Sequence, residues 1–370
     1  MGVLELRGID KVYRSRGKPA VHAVRALDMD IGKGEIIALL GSSGCGKTST
    51  LRMIAGFESV TSGSIALRGR RIDGLAPAKR RVAMAFEGYS LYPPLTVREN
   101  IAFALKSQQI PRAEVTRRVE AVARLVEIDD ILESFPRAIS GGQQQRASLA
   151  RALVRDADLY LLDEPMGQLE PQLRAVLRGR IKSLLAEREM TAIFVTHDQT
   201  EASALADRIA VMEDGVLQQF AGEKQLKDSP ANLFVASFIG EPPMNILDAA
   251  VARSDDGFRF SVTPDLAIEI PGGSFSPAAQ TALKAGRIRI GIRPQKIGIG
   301  AGDVRVRVVS NQWLGDQSHI AGDCAGNLLI AVAPNRIAAK AGDIVSFALE
   351  PRHLHVFGAD GVCIRHAEAG

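Results

Sequence analysis

The sequence predicts an α/β domain that holds an inserted helical segment and is followed by a smaller all-β domain. Three observations lead to this prediction. Residues 35–40 form a short aliphatic run that leads into a glycine-rich loop and a helical stretch. Short apolar strands and amphipathic helices then alternate through the first two thirds of the chain. Beyond the proline-containing segment 241–243, brief runs alternate at period two. We expect one domain over residues 1–240 and another over residues 241–370.

The glycine-rich loop has the form of a phosphate cradle. Its glycines let backbone N–H groups close around phosphate oxygens, and the N-terminus of the following helix adds a positive dipole end. Lys47 would reach the β- and γ-phosphates of a nucleoside triphosphate, and Thr48 would ligate Mg²⁺. The predicted nucleotide-binding residues of this loop are Gly41, Ser42, Ser43, Gly44, Cys45, Gly46, Lys47, Thr48 and Ser49.

Two carboxylates follow the apolar strand predicted over residues 159–162. Asp163 could hold Mg²⁺ through water, and Glu164 could polarise the water that attacks the γ-phosphate. Either acid alone would also suit a solvated strand end. Because a phosphate cradle lies upstream, the catalytic interpretation is favoured.

Residues 89–155 contain helical patterns divided by prolines, which indicates a helical subdomain inserted in the sheet. Thr96 and Glu99 have the spacing of a capping box at a helix start. A second helix opens at Ser140, and by itself this serine is only a helix cap.

Composition and charge argue against several classes of protein. The chain of 370 residues is 46% hydrophobic, yet no apolar run approaches the length of a membrane span. Its three cysteines are far apart and in no metal-ligand spacing, so we expect a reducing, cytoplasmic setting. Residues 1–241 carry 33 Lys and Arg against 30 Asp and Glu, and residues 242–370 carry 13 against 12. Neither part is a basic module, so we expect no nucleic-acid partner.

The glycine-rich loop, the serine-glycine helix start and the two acids together resemble the signature of the ATP-binding cassette (ABC) ATPases. The resemblance implies that the nucleotide is ATP, that Tyr13 stacks on adenine and that His197 touches the γ-phosphate. It also implies that two ATPase subunits pair head to tail. Each ATP would then lie between the phosphate loop of one subunit and the signature residues of the other, which are Ser140, Gly141, Gly142 and Gln143.

The chain also resembles the ATPase subunits of the maltose-type importers, which serve sugars, polyols and glycerol phosphates. The matching segments are Leu91-Tyr92-Pro93, Thr96-Val97-Arg98-Glu99-Asn100, Pro242-Pro243-Met244-Asn245 and Gly291-Ile292-Arg293-Pro294. The resemblance implies ATP hydrolysis that drives solute uptake through two permease subunits, with an extracytoplasmic solute-binding protein. It places the chain peripherally on the cytoplasmic face of the plasma membrane. It further implies that the helical subdomain receives the permeases' coupling helices and that the C-terminal domain is an OB-like barrel that regulates or braces the dimer.

The sequence departs from this group at two places. Glu87 stands where the group has a glutamine, and residues 167–170 read Gly-Gln-Leu-Glu where the group has Ser-x-Leu-Asp. Glu87 can still ligate Mg²⁺, so it stays among the catalytic and metal-binding candidates. Its charge would disfavour ionisation of Glu164, however. Two interpretations remain open: a working homodimer, or a pair with a different ATPase subunit in which the two sites are unequal.

Two other classes of ATPase fit the sequence less well than an importer subunit does. An ABC ATPase of DNA repair or translation would usually carry a long coiled-coil insertion or a second cassette, and this sequence has neither. A nucleic-acid-binding ATPase would use exposed aromatics of the barrel to stack bases. Phe258, Phe260 and Phe347 lie in alternating strands, where burial is the simpler expectation.

Overall fold

The computed structural model describes residues 2–86, 88, 90–106, 110–263, 266–284 and 287–368. The chain folds into two compact units, Met1–Glu223 and Lys224–Gly370, and each is described by itself. The sequence predicts a later boundary, after residue 240, because its proline-containing segment begins there. The short helix Leu233–Phe238 lies between the two positions, and its Ala236 packs with Met244 and Phe357 of the second unit.

The first unit alternates strands and helices. Its elements are β1 (Leu4–Tyr13), β2 (Val21–Ile31), β3 (Ile36–Gly41), α1 (Lys47–Ala55), β4 (Ser62–Leu67), β5 (Arg70–Arg71), β6 (Val82–Ala85), α2 (Val97–Phe103), α3 (Arg112–Leu125), α4 (Gly141–Leu153), β7 (Leu159–Asp163), α5 (Pro171–Glu187), β8 (Ala192–Val195), α6 (Gln199–Leu205), β9 (Arg208–Glu213) and β10 (Val216–Ala221). Helix α7 (Glu223–Asp228) spans the boundary between the units.

The central sheet of the first unit has the strand order β10-β9-β3-β8-β7-β6. Strand β3 pairs in parallel with β8 and β9, and β7 pairs in parallel with β6 and β8. Every residue of β3, β7 and β8 is buried, as expected for parallel strands covered on both faces. Because these strands run in one direction, the residues that follow β3, β7 and β8 meet at one edge of the sheet.

A second sheet of the first unit is antiparallel, with the order β2-β1-β4-β5. Buried and more exposed residues largely alternate along β1, so the strand has one face turned to the core. Its buried residues join those of the central sheet and of α1 in one apolar cluster, which includes Leu6, Ile9, Leu39 and Ile54. This sheet therefore fixes one flank of α1 and of the loop before it.

Between β6 and β7 the described residues form helices and turns, which confirms the predicted helical segment. Helix α2 begins with the predicted capping box, in which Thr96 Oγ1 accepts the N–H of Glu99 at 3.2 Å and Glu99 accepts the N–H of Thr96 at 2.8 Å. Such reciprocal bonds satisfy N–H groups that the first helical turn leaves free.

The second unit is built almost wholly from antiparallel strands. Its elements are α8 (Leu233–Phe238), β11 (Asn245–Arg253), β12 (Gly257–Thr263), β13 (Leu266–Pro271), α9 (Pro277–Leu283), β14 (Arg287–Ile292), β15 (Gly298–Trp313), β16 (Ser318–Cys324), β17 (Asn327–Ala333), β18 (Ile344–Ala348), β19 (Leu354–Phe357) and β20 (Cys363–Arg365). They form two sheets, with the orders β13-β12-β11-β14-β19-β20 and β17-β16-β15-β18. Both sheets contribute to one core, in which Phe260 and Phe347 are fully buried as expected.

No helix in the described part of the chain combines the length and the apolar character that a membrane crossing requires.

Candidate nucleotide site

The loop between β3 and α1 needs glycine at two positions, because other backbone segments approach it closely. At Gly41 the angle φ is 156°, and a Cβ would lie 2.1 Å from the carbonyl oxygen of Met212. At Gly46 φ is 103°, and a Cβ would lie 2.3 Å from the carbonyl oxygen of Ala23. Both φ values are ones that residues with side chains rarely adopt. The curved path of the loop therefore depends on these glycines.

Lys47 is buried, and its ammonium group lies inside the loop. Nζ donates hydrogen bonds of 2.8 Å to the carbonyl oxygens of Gly41 and Ser42, and it lies 3.6 Å from Sγ of Cys45. Burial raises the pKa of the Cys45 thiol, although the charge of Lys47 acts in the opposite direction. The thiol therefore stays protonated, and the ammonium supplies the positive charge at this point of the loop.

The other residues of the loop make different contacts. The Ser42 hydroxyl bonds to the carboxylate of Glu213 at the end of β9. Ser43 and Gly44 are exposed at the tip of the loop. Ser49 lies in the first turn of α1, where its hydroxyl is 3.2 Å from the hydroxyl of Tyr13. The structure thus brings Tyr13, which the resemblance assigns to adenine, to the start of α1.

Thr48 and Asp163 form an oxygen pair suited to Mg²⁺. Oγ1 of Thr48 donates to Oδ1 of Asp163 at 3.3 Å, and Asp163 is only 3% exposed at the end of β7. Neighbouring oxygens around an octahedral Mg²⁺ lie about 3.0 Å apart, given bonds of about 2.1 Å. A hydroxyl and a carboxylate at this spacing fit two adjacent positions around the ion.

Glu164 and His197 form the second polar pair of the site. Nδ1 of His197 lies 3.0 Å from Oε2 of Glu164, and the His197 side chain is 74% exposed whereas that of Glu164 is 17% exposed. The backbone of Glu164 has a φ of 48°, in the left-handed region that few residues other than glycine adopt. This conformation turns the chain at the end of β7, and such strain is concentrated at functional sites.

Gln145 holds the strained backbone of Glu164 and was not predicted from the sequence. Its Nε2 donates to the carbonyl oxygen of Glu164 at 2.6 Å, and its Oε1 accepts the N–H of Gln168 at 3.1 Å. The side chain is buried and comes from helix α4. Gln143 and Gln144 precede it in the sequence. The one feature that distinguishes Gln145 from them is its position one helical turn after Gly141.

A buried acid, Glu201, lies behind this site. It is 2% exposed, and its Oε2 accepts a 2.7 Å hydrogen bond from Thr196. Its other carboxyl oxygen makes no hydrogen bond within the described part of the chain. Burial, with smaller contributions from the charges of Asp198 and Glu164, raises the pKa of Glu201 to about 7. Asp198 caps helix α6 by accepting the N–H of Glu201. The carboxyl group of Glu201 bonds to Thr196 instead.

The signature residues occupy the start of α4. Ser140 Oγ accepts the N–H of Gln143 at 3.3 Å, and Gln143 Oε1 accepts the N–H of Ser140 at 2.9 Å, which is a capping box. Ser140 is exposed, and Gly141 and Gly142 follow it in the first turn. Their role toward a nucleotide of another subunit stays a prediction. Glu87, the remaining catalytic and metal-binding candidate, lies outside the described residues.

Comparisons with known proteins agree with this geometry. Residues 24–167 match the ABC transporter family, and residues 290–357 match the TOBE domain family. A protein of Bordetella pertussis (strain Tohama I), named sn-glycerol-3-phosphate import ATP-binding protein UgpC, is 37% identical over 97% of this chain and 98% of its own length. The protein of the same name from Ruegeria sp. (strain TM1040) is 40% identical over 90% of this chain and 91% of its own.

Solved structures of the ABC transporter cassette MJ0796 are similar to the first part of the chain. Its dimeric structure has a TM-score of 0.56 and 27% identity, and it covers 59% of this chain and 98% of the cassette. A post-hydrolysis state bound to ADP and Pi matches with the same TM-score and coverage, at 26% identity. With relatives matched over nearly its whole length, this chain belongs to the ABC transporter family, as an ATP-hydrolysing, ATP-binding protein.

Proposed function

We propose that this chain is the ATPase subunit of an importer for sn-glycerol-3-phosphate or a related sugar or polyol. One observation carries the proposal: Lys47, the Thr48 and Asp163 pair, and the Glu164 and His197 pair all follow strands whose carboxyl ends share one edge of the central sheet. The names of the full-length relatives support the choice of solute.

The residues of this edge divide the work of phosphoryl transfer. The ammonium of Lys47, which now bonds loop carbonyls, would donate to the β- and γ-phosphates instead. Thr48 and Asp163 would hold Mg²⁺, which neutralises phosphate charge when bound. Glu164 would accept a proton from the attacking water, and His197, within hydrogen-bond distance of that carboxylate, would orient the γ-phosphate beside it.

The site would be completed by a second ATPase subunit and coupled to two permeases at the cytoplasmic face of the membrane. Ser140 is exposed at the start of α4, and its hydroxyl bonds within the first turn of that helix. An exposed helix start of this kind suits a contact across a dimer. An exposed aromatic surface supports the permease contact. In it the exposed rings of Tyr92 and Phe103 lie 4.7 Å apart, and the exposed ring of Phe57 lies 5.2 Å from the half-buried ring of Phe86. An extracytoplasmic binding protein would deliver the solute.

Reconstitution with the permeases tests this function. We expect ATP hydrolysis that is stimulated by sn-glycerol-3-phosphate and its binding protein, with accumulation of the solute in vesicles. Glu164→Gln should lower the hydrolysis rate by about 10²- to 10⁴-fold, because it removes a general base, while ATP binding persists. Robust hydrolysis in that variant would contradict the role of Glu164. If the vesicles accumulate no glycerol phosphate, sugar or polyol, the proposed solute class is wrong.

The identity of the second subunit is tested with the same variant. Glu164→Gln protein incubated with MgATP should double its mass in sedimentation analysis if two copies pair. If it stays a monomer alone but forms a mixed dimer with a paralogous ATPase, the unequal pair is the working unit. A wild-type rate that is unchanged in Glu87→Gln would argue against unequal sites.

A further inference from the structure

A cluster of three potential metal ligands lies in the second unit, apart from the proposed nucleotide site in sequence and fold. His355 comes from β19, Cys363 begins β20, and His366 follows β20. One side-chain ligand atom from each residue lies within 4.8 Å of the other two. Two imidazoles and one thiol are a donor set that soft and borderline transition metals prefer. Cysteine spacing alone does not predict this cluster, because two of its three members are histidines.

The three donors are almost in place for a shared ion. Sγ of Cys363 lies 3.2 Å from Nδ1 of His366. In a three-coordinate site, ligands bound at about 2.0 Å for nitrogen and 2.3 Å for sulfur lie about 3.7 Å apart. All three ligand atoms lie within 4.8 Å of one another, so side-chain rotations can bring them to one ion.

His355 offers a lone pair from a buried position. It is 2% exposed. Its Nδ1 accepts the N–H of Ala367 at 3.3 Å, so this nitrogen carries a lone pair rather than a proton. An ion bound there would take the place of this long hydrogen bond.

The charges around the cluster favour a monovalent ion. Arg365 is buried, and its Nη1 donates to the carbonyl oxygens of Leu354 and Pro351, which fixes the guanidinium beside β19. The carboxylate of Glu368 lies 3.8 Å from this guanidinium, and its side chain is 66% exposed. Sγ of Cys363 donates a hydrogen bond of 3.2 Å to the carbonyl oxygen of Arg365, so the free site holds a thiol. Exchange of that proton for a monovalent cation leaves the net charge of this poorly solvated region unchanged, whereas a divalent ion adds one positive charge.

We propose that His355, Cys363 and His366 form a three-coordinate site for Cu(I). In the binding step the S–H bond of Cys363 breaks, its proton goes to solvent, and a Cu–S bond forms while copper keeps its charge. The two imidazoles complete the coordination with neutral nitrogens. One soft thiolate and two borderline imidazoles suit this ion.

Competition for Cu(I) under anaerobic conditions tests the site. The purified full chain is titrated into Cu(I) held by a coloured chelator such as bicinchoninate, and we expect it to withdraw one equivalent. Cys363→Ser and His366→Gln should each weaken this affinity about 100-fold or more. His366 is exposed, so its replacement leaves the fold intact. Cys324→Ser and His353→Gln, matched changes elsewhere in the same unit, should bind as the wild type does.

Several outcomes would overturn the proposal. The site is refuted if the wild-type chain withdraws no copper, or if Cys324→Ser loses as much affinity as Cys363→Ser does. A parallel titration with Zn²⁺ tests the choice of ion, since stoichiometric Zn²⁺ uptake without Cu(I) uptake contradicts the charge argument. ATP hydrolysis is not the readout, so failure here and failure of the proposed function are distinguishable.

Discussion

The buried carboxyl group of Glu201 should make the stability of the first unit depend on pH. The perturbation is Glu201→Gln, which keeps the shape of the side chain and removes its titration. In the folded chain the pKa is about 7, against 4.5 for an ordinary glutamate. Folding therefore favours the protonated acid. The stabilisation is fully present below pH 4.5 or so and is lost as the pH rises through about 7.

The size of the effect follows from this shift. Each unit of pKa difference is worth about 1.4 kcal/mol, so Glu201 should lower the free energy of unfolding by roughly 2 to 3 kcal/mol between pH 5 and pH 8. The glutamine variant lacks this loss. Its stability relative to the wild type should therefore rise by the same amount over that range.

Urea denaturation of both proteins at several pH values measures this difference. Glu187→Gln, a change of an exposed acid on α5, serves as the matched control and should leave the pH dependence of the wild type in place. A difference between Glu201→Gln and wild type that is flat from pH 5 to pH 8, or that falls as the pH rises, would refute the reasoning.

Three further predictions concern the nucleotide site. Gly46→Ala should destabilise the chain by about 1–2 kcal/mol because of its positive φ, and by more because its Cβ would clash with Ala23. Gly44→Ala has a φ of 81° but open space around it, so it should show only the effect of φ. Denaturant unfolding of the two variants measures the difference. Gln145→Ala should cost about 1–3 kcal/mol and slow hydrolysis, because it removes two hydrogen bonds to the backbone of Glu164 and Gln168; normal turnover would contradict this. Thr48→Val should raise the Mg²⁺ concentration needed for half-maximal ATP hydrolysis, and an unchanged requirement would argue against the proposed metal pair.

Local sequence patterns predicted much of the fold and of the site. The glycine-rich loop between an apolar run and a helix identified β3 and α1, because the backbone path there depends on residues of that stretch alone. The same holds for the capping boxes at Thr96 and Ser140, where both partners lie within four residues.

Local patterns do not predict contacts between segments that are distant in the sequence. The antiparallel sheet that contains β1 is defined by pairing with β4, some fifty residues on, and no local period encodes that register. Gln145 and Glu201 likewise became functional candidates only when the fold placed one under the backbone of Glu164 and the other against Thr196. Both roles depend on burial. Glutamine and glutamate are mostly exposed in proteins, so the sequence alone does not predict that these two are buried.

The hydrogen bond from Gln145 to the backbone of Glu164 has a mechanical consequence. Helix α4 begins at the exposed signature residues and carries Gln145 in its second turn. A helix moves nearly as a rigid rod over so short a distance, so a push on Ser140 from a neighbouring subunit would reach the carbonyl of Glu164 through about one and a half helical turns. Binding of a second chain at Ser140 would therefore shift the backbone of Glu164, the residue proposed to activate water.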